Sequence, residues 1–454
     1  MATDKFDWNR DTWKVIDSAF TDPDALISHQ HESFNNMIES TIPSLMRHGM
    51  PIKVTDGNQA HSFKILSCGM SKPVLYQNGQ GYLPMLPSEA RNRDLTYGAP
   101  LYIDFEYSFS NEQTVIERRI CVGKIPIMLG SKYCHLYGRS KSERTALNEC
   151  PCDRGGYFIV KGSEKVIISQ ERPVENTISC FEESDPNKPT ECRAEVKSTI
   201  DQRFFPIKVA VVRLTKYQEP TTRDQTVIKG HKLIVSLPYG RRPVPLFIIY
   251  KAFGVSSDKD VFDFILDDET KNNQDFINLL KPSALEANDV LTQADAIRYV
   301  ANSININIAH SAVQEAQDKK AKDPDSTITD EIREQNELFR MKYASDLLNR
   351  EFLPHVGNNP TKKLHFLSLM VQKLLKAKLN PKLFSDRDKL TNKRLDLPGN
   401  LLFQIFRHYF QKMLKDIKAL FVKKPKISPG EATGIAQEIK KIIQKSNVFI
   451  FCGI

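Results

Sequence analysis

From Leu101 to Phe109 the chain alternates without a break. Leu101, Ile103, Phe105, Tyr107 and Phe109 fall on one side of the pattern, with Tyr102, Asp104, Glu106 and Ser108 between them. Successive side chains of a strand point to opposite faces, so this period of two predicts a strand with one buried and one solvated face. Such a face needs a covering layer, and helical patterns on either side can supply it. Trp13, Val15, Ile16 and Phe20, then Phe34, Met37, Ile38, Thr41, Ile42 and Leu45, form an apolar stripe at helical spacing after Asp11 or Thr12 as cap. Leu364, Leu367, Val371, Leu374 and Leu375 mark another amphipathic helix, and a longer one runs from Leu401 through Phe406, Phe410, Met413 and Ile417 to Phe421.

Segments 51–169 and 194–237 read as mainly β, the second through Ile207, Val209 and Val211 and then Leu233-Ile234-Val235. Pro245–Phe253 turns helical, and 255–340 is acidic and mostly helical, interrupted by an exposed loop at Asp318–Ser326. Gly155-Gly156 opens the strand Tyr157–Val160. Lys161-Gly162-Ser163 turns it into a second strand, Lys165–Ser169, to make a compact hairpin. The fold class is therefore α+β, with a new domain starting near Arg193.

The 454 residues are enough for about three domains. No stretch approaches the roughly 18 uninterrupted apolar residues of a membrane span, and Met1–Asp7 lacks the apolar core of a signal peptide, so an intracellular protein is expected. Eight cysteines in a chain this long are too few for a disulfide scaffold, and Cys134-His135 with Cys150-Pro151-Cys152 lacks the paired spacing of a zinc site; buried reduced thiols are expected. The net charge of +9 is uneven. Residues 361–426 carry 17 Lys+Arg against Asp386, Asp388, Asp396 and Asp416, a surplus of +13, and the rest of the chain is acidic. A basic surface binds polyanions by releasing counterions, but a lysine-rich helix face is also an ordinary solvated surface.

No self-contained catalytic centre emerges. Gly155–Ser163 lacks the Gly-Lys-Ser/Thr ending of a phosphate loop, and a hairpin explains it better. Asp386-Arg387-Asp388 has carboxylates at D-x-D spacing, but the intervening arginine and Ser385 favour a turn or cap over a Mg²⁺ site. Catalytic residues and metal ligands are both expected to be absent from the chain.

Gly155–Arg172, GGYFIVKGSEKVIISQER, closely resembles the G-G-Y-F-I-I-N-G-S-E-K-V-I-x-x-Q-E-R signature of the second-largest subunit of multisubunit DNA-directed RNA polymerases. In the family's order come Leu86-Pro87-Ser88-Glu89-Ala90-Arg91 with Leu95-Thr96-Tyr97, Pro126–Cys134, Glu351-Phe352-Leu353-Pro354-His355, and Asp386-Arg387-Asp388 with Asn392–Gly399. The resemblance is nearest to the eukaryotic messenger-synthesising type, including versions carried by large DNA viruses. It implies a mixed protrusion domain formed by 1–193 and a returning helical part at 395–428, an inserted lobe at 194–394, and the start of a fork at 429–454. Pro173-Val174-Glu175-Asn176 departs from the family's small residue, Gly and Asn. Val448–Ile454 departs after Ser446-Asn447, and the fork is expected to be truncated there.

The resemblance further implies one wall of the DNA cleft in a nucleotidyltransferase complex, the fragment alone being inactive. Lys161, Lys165, Gln170 and Arg172 are expected to face nucleic acid, with Lys393 and Arg394 as further candidates; phosphate contact without base readout would suit an enzyme that accepts any template. Each has an alternative as a surface or intradomain salt bridge. Implied cofactors are Mg²⁺ in the assembled polymerase and Zn²⁺ in a missing C-terminal part, none in this fragment. Implied partners are the largest and smaller polymerase subunits, the DNA template, the RNA–DNA hybrid and initiation factors, with no membrane. The compartment would be nuclear for a cellular enzyme, host cytoplasm or virion for a viral one. A rival is a truncated, non-catalytic protein that binds polymerase partners; another is a free-standing nucleic-acid binder, which requires the basic helices of 361–426 to be exposed together.

Overall fold

The computed structural model describes all residues except 1–7, 22–24, 49, 57–58, 78–80, 110–112, 184–188, 201–205, 219–228, 268–269, 272, 305–327, 425–431 and 447–454. The expected loop at Asp318–Ser326 and the divergent Val448–Ile454 lie outside the described residues. Helix and sheet are mixed, as α+β requires, and the chain forms two units: Met1–Arg172 with Leu395–Ile454, and Pro173–Arg394 between them.

In the first unit an antiparallel sheet has the spatial order Ile52–Asp56, Gln59–Met70, Gly98–Phe109, Gln113–Pro126. The alternation in Leu101–Phe109 holds: Leu101, Ile103, Phe105 and Tyr107 are buried, and the residues between them are half-buried. The covering layer is the helix Pro398–Lys423, whose Phe421 ring stacks 5.0 Å from His61 and 5.8 Å from Tyr107. Its Leu402, Phe406, Phe410, Met413 and Ile417 are buried at the spacing read from the sequence. The helix Ala432–Ser446 packs on the Gln113–Pro126 strand, where Lys440 reaches Glu117 at 3.3 Å.

Sheet pairing is bent by irregularities where one strand carries an extra residue. One lies at Ile65/Ser67 and another at Ile103/Phe105. Asp104 serves both: its carboxylate accepts from Ser67 Oγ at 2.6 Å and from the Arg119 amide at 2.7 Å, Arg119 being left-handed at φ 54°. These two bonds hold the Asp104 carboxyl below the usual carboxylate range.

The N-terminal stripe forms only in part as expected. Ala25–Asn36 continues through a wide turn at Met37–Thr41 into Ile42–Arg47, and Phe34, Met37, Ile38, Ile42 and Leu45 are buried. On the preceding helix, Trp8–Thr21, Trp13 and Phe20 are 64% and 66% exposed, so that stripe is amphipathic without being core.

The second unit is built on an antiparallel sheet ordered Ser179–Glu182, Thr190–Ser198, Lys208–Gln218, Lys229–Ser236, Val244–Pro245. This moves the expected boundary from 193/194 to 172/173. Ser179–Glu182 pairs with Thr190–Ser198, Cys180 opposite Ala194, and both strands feed the same core. Register also differs from the sequence reading. Ala210, Val212 and Leu214 face inward and Val211, as expected, is also buried, whereas Ile207 and Val209 are exposed: the strand start belongs to the outer face, since successive side chains alternate. The helix Leu246–Ala252 is buried all round, and its Lys251 Nζ donates to the Ala287 and Val290 carbonyls, both at 3.0 Å. Pro360–Leu379 covers the sheet with Leu364, Leu367, Val371, Leu374 and Leu375, the five positions of the predicted stripe.

The +13 surplus of 361–426 is divided by the unit boundary, +8 up to Arg394 and +5 from Leu395. Lys363 is fully buried. The basic residues of this stretch are therefore not one surface of one unit. Thiol burial also differs from expectation: Cys134, Cys180 and Cys192 are buried, but Cys150 and Cys152 are exposed. Among the described residues no helix is long and apolar enough to cross a membrane.

Candidate nucleic-acid interface

The strand Phe158–Val160 is buried on both faces and turns at Lys161-Gly162 into Ser163–Lys165. Phe158 pairs with Lys165 and Val160 with Ser163, which leaves a two-residue loop. Lys161 and Gly162 are both left-handed, at φ 50° and 76°, as the tight turn matching strand twist demands. Gly162 has a second constraint: a Cβ there would lie 2.5 Å from Asp94 Oδ1. The hairpin is real but shorter than read from the sequence. Residues 166–169 are not strand, and Val166 and Ile168 stand 68% and 82% exposed; a second strand resumes only at Gln170–Pro173.

What seats the hairpin is the rest of the recognised sequence. The Tyr97 amide donates to the Ile159 carbonyl at 3.0 Å, Leu129 to Tyr157 at 2.9 Å, Gly156 to Leu129 at 2.9 Å and Gly162 to Leu95 at 3.0 Å. Thr96 Oγ1 accepts from the Lys161 amide at 3.1 Å. Gly155 sits so close to Leu129 that a Cβ would lie 2.1 Å from its carbonyl oxygen. The motifs at 86–91, 95–97 and 126–134, distant in sequence, thus converge on 155–165.

Arg91 is the hub. It stands in the last turn of the short helix Pro87–Asn92, which Pro87 opens at a position where a missing amide hydrogen costs little. Its Nε donates to Glu164 at 2.7 Å, Nη2 to Tyr157 OH at 2.7 Å and Nη1 to Glu149 at 3.2 Å. Tyr157 OH donates onward to Asp153 at 2.5 Å, and Glu149, nearly buried, also accepts from the Ser88 amide at 2.6 Å. Burial opposes the Arg91 charge, but Glu164, Tyr157 and Glu149 outweigh it and hold the guanidinium above its ordinary range. Burial, then Asp153, pushes the Tyr157 phenol up. Sequence reading quoted Arg91 as part of a motif without giving it a role; its place three residues after the motif's serine carries no signal of a hub.

The candidate side chains differ in availability. Lys161 and Gln170 are exposed and Lys165 is half-exposed, and none has a side-chain hydrogen bond or ion pair among the described residues. Arg172 is engaged: its Nε donates to Asp396 at 2.9 Å, and Asp396 is buried. Lys393 and Arg394 belong to the second unit. Lys393 Nζ lies 3.9 Å from Asp388, and Arg394 Nη1 donates to the Thr391 and Lys393 carbonyls at 3.3 and 2.8 Å. The structure thus groups Lys161, Lys165, Gln170 and Arg172 along one run of chain in the first unit and leaves the other two in the second. Asp386 is in a turn, accepting from the Asp388 amide at 2.8 Å, with Arg387 4.3 Å over the Phe181 ring. Among the described residues no group of three or more His, Cys, Asp or Glu is arranged to hold a metal ion.

The sequence model of a family described as RNA polymerase beta subunit matches residues 25–444. "DNA-directed RNA polymerase II subunit 2" of Arabidopsis thaliana is 31% identical over 432 residues, covering 90% of this chain and 34% of the relative. "DNA-directed RNA polymerase II subunit RPB2" of Encephalitozoon cuniculi is 33% identical over 421 residues, 89% of this chain and 33% of the relative. "DNA-directed RNA polymerase subunit Rpo2N" of Methanocaldococcus jannaschii is 30% identical over 416 residues, 89% of this chain and 73% of the relative. The chain spans about a third of the length of the two eukaryotic relatives. With the matched region running through both units and through every motif that seats the hairpin, the chain belongs to the RNA polymerase beta-subunit family.

Proposed function

We propose that this chain is the N-terminal part of the second-largest subunit of a DNA-directed RNA polymerase and forms one wall of the DNA cleft. Met1–Arg172 with the returning helix Pro398–Lys423 would be the protrusion, Pro173–Arg394 the lobe, and the segment from about 429 the start of the fork. The Phe158–Lys165 hairpin and the strand after it would present Lys161, Lys165 and Gln170 to the sugar–phosphate backbone, as point contacts that carry no base readout. Arg172 serves here as a positioning residue, its ion pair with Asp396 fixing the strand that follows the hairpin. Lys393 and Arg394 would contribute from the lobe.

The observation that carries the reading is the convergence of the family motifs on one hairpin whose two lysines lack ion-pair partners among the described residues. Catalysis would belong to the assembled complex: Mg²⁺ held by the largest subunit would supply two-metal phosphoryl transfer, and Zn²⁺ would lie in a more C-terminal part of this subunit. The chain's own residues would position nucleic acid beside that centre. Partner subunits, template and hybrid follow from the same reading, as does the compartment, the nucleus for a cellular enzyme and host cytoplasm or virion for a viral one.

The test is made on the assembled polymerase. A photo-crosslinking residue at 161 or 165 should label template or non-template strand in a transcription-bubble scaffold. Lys161→Glu with Lys165→Glu should weaken scaffold binding and flatten its salt dependence by about 1.8 in the log–log slope, 0.9 for each phosphate contact. Absence of crosslinks together with an unchanged slope would remove the hairpin from the interface.

A further inference from the structure

On the first unit lies a cavity of about 700 Å³ whose lining includes none of the lysines assigned to nucleic acid. Its charged lining is Arg139, Lys141, Arg144 and Arg154, with His31 from the Ala25–Asn36 helix and a single carboxylate, Asp153. That carboxylate is already used. Its Oδ1 accepts from the Gly155 amide at 2.9 Å and its Oδ2 from Tyr157 OH at 2.5 Å, so its charge is turned toward the hairpin seat. Glu143, a further carboxylate beside Arg139, is held by the Ser140 amide at 2.7 Å and hydroxyl at 2.9 Å. Arg139, Lys141 and Arg144 remain around one space, and like charges at close quarters cost free energy unless an anion joins them.

Arg144 gives the space a built character. Its Nη1 donates to the Asp153 carbonyl at 2.6 Å and its Nη2 to the Leu136 carbonyl at 3.5 Å, which fixes the guanidinium plane. Its Nε is buried and has no hydrogen-bond partner among the described residues. Arg139 is likewise anchored, its Nε donating to the His135 carbonyl at 2.8 Å. The lining at Gly130 is tight: a Cβ there would come within 2.8 Å of the Arg154 carbonyl and 2.9 Å of the His31 ring. Guanidinium groups held in fixed planes match the oxygens of phosphate better than they match a mobile hydrated anion.

We infer that this cavity is a second anion site of the chain, built for a ligand bearing two or more phosphate groups. Its volume exceeds that of a lone phosphate, and its cation count suits several charges. The shared chemistry is an oligophosphate, which can come from a free polyphosphate or from the backbone of a nucleic-acid strand. The site uses no residue of the proposed hairpin contact and stands whether or not that reading does.

The probe is sodium tripolyphosphate, titrated calorimetrically into the 454-residue chain at 150 mM salt. One saturable site is expected. Lys141→Glu, at an exposed position, and Arg139→Glu should each weaken it at least about tenfold with thermal melting preserved, while Lys412→Glu with Lys415→Glu leaves it unchanged. A short single-stranded oligonucleotide that displaces the probe identifies a nucleic-acid backbone as the source, and one that does not identifies a free oligophosphate. Lack of saturable binding, or binding undiminished in both cavity variants, overturns the proposal.

Discussion

Replacing Arg91 by Met tests whether the hairpin is held by its seat or stands alone. The substitution keeps most of the side-chain volume and deletes three donors. Glu149 is 6% exposed and would keep only the Ser88 amide, while Glu164 is largely exposed and can turn to water. Breaking a buried charged pair from one side costs about 3–5 kcal/mol. Arg91 is 27% exposed, so solvent screening lowers the figure to about 3 kcal/mol, nearly all of it from the stranded Glu149. The cost should be local, because the bonds lost tie 87–92 and 149 to 157–164.

Hydrogen exchange reads it directly. Amides of Tyr97, Leu129 and Gly162, which bond within the seat, should exchange about a hundredfold faster in Arg91→Met, 1.4 kcal/mol being a factor of ten. Amides of Lys229–Ser236 in the second unit should not change. Adding Glu149→Gln should recover at least about 1 kcal/mol, as residues in one ionic network are not additive. A loss below about 1 kcal/mol, or strict additivity with Glu149→Gln, would refute the argument that Arg91 is the hub.

Three further outcomes follow from single residues. Gly162→Ala should destabilise by about 1–3 kcal/mol, since it adds a left-handed penalty to a contact with Asp94, whereas Lys161→Gly at φ 50° should be neutral or stabilise by up to about 1 kcal/mol in urea titrations. His355, half-buried, bonded through Nδ1 to Ser198 Oγ at 2.7 Å, has its pKa lowered by burial and then by the Lys363 charge. Its unfolded form therefore binds the proton more readily, so its contribution is present above about pH 6.5 and is lost as pH falls toward the folded pKa; melting temperature against pH should flatten over that window in His355→Gln. Lys363 is buried with Nζ donating to the carbonyls of Leu348, Asn349 and Phe352, and Lys363→Met should cost about 2–4 kcal/mol by denaturant titration of the second unit, because three acceptors lose their donor together.

The sequence made the core faces of the long elements legible where period and length agreed. Leu101–Tyr107 and Leu402–Phe421 were readable because each buries one face against one layer, which is the condition under which periodicity means burial. The same rule failed at Trp13 and Phe20, where a stripe exists and nothing among the described residues covers it, and at Ile207 and Val209, where an apolar strand start faces outward. Apolar character records what a residue tolerates, and coverage is decided by elements far along the chain. The hairpin's turn was readable from Lys161-Gly162-Ser163; its length was not, since Val166 and Ile168 have strand propensity but pair with no strand among the described residues.

Charge was the least legible property, and the reason bears on the site. A count along 361–426 sums residues that the fold assigns to two units, includes a buried Lys363, and cannot see that Arg172 is spoken for by an aspartate 224 positions away. What makes a cation available to a polyanion is the absence of a nearer carboxylate, which is a property of tertiary packing. By that criterion Lys161 and Lys165 rise above Lys393 and Arg172, even though the latter two sit in equally distinctive sequence. The same criterion brings forward Arg139, Lys141 and Arg144, which no motif marks, because the carboxylate that lines their cavity, Asp153, is turned to the Tyr157 hydroxyl and the Gly155 amide, and Glu143 beside them is taken up by Ser140. Asp153→Asn should therefore disturb both places at once: it loosens Tyr157 in the hairpin seat, seen as faster exchange at Leu129, and it adds one net positive charge beside the cavity, seen as tighter tripolyphosphate binding. Faster exchange with unchanged binding would mean that Asp153 does not shape the cavity's field.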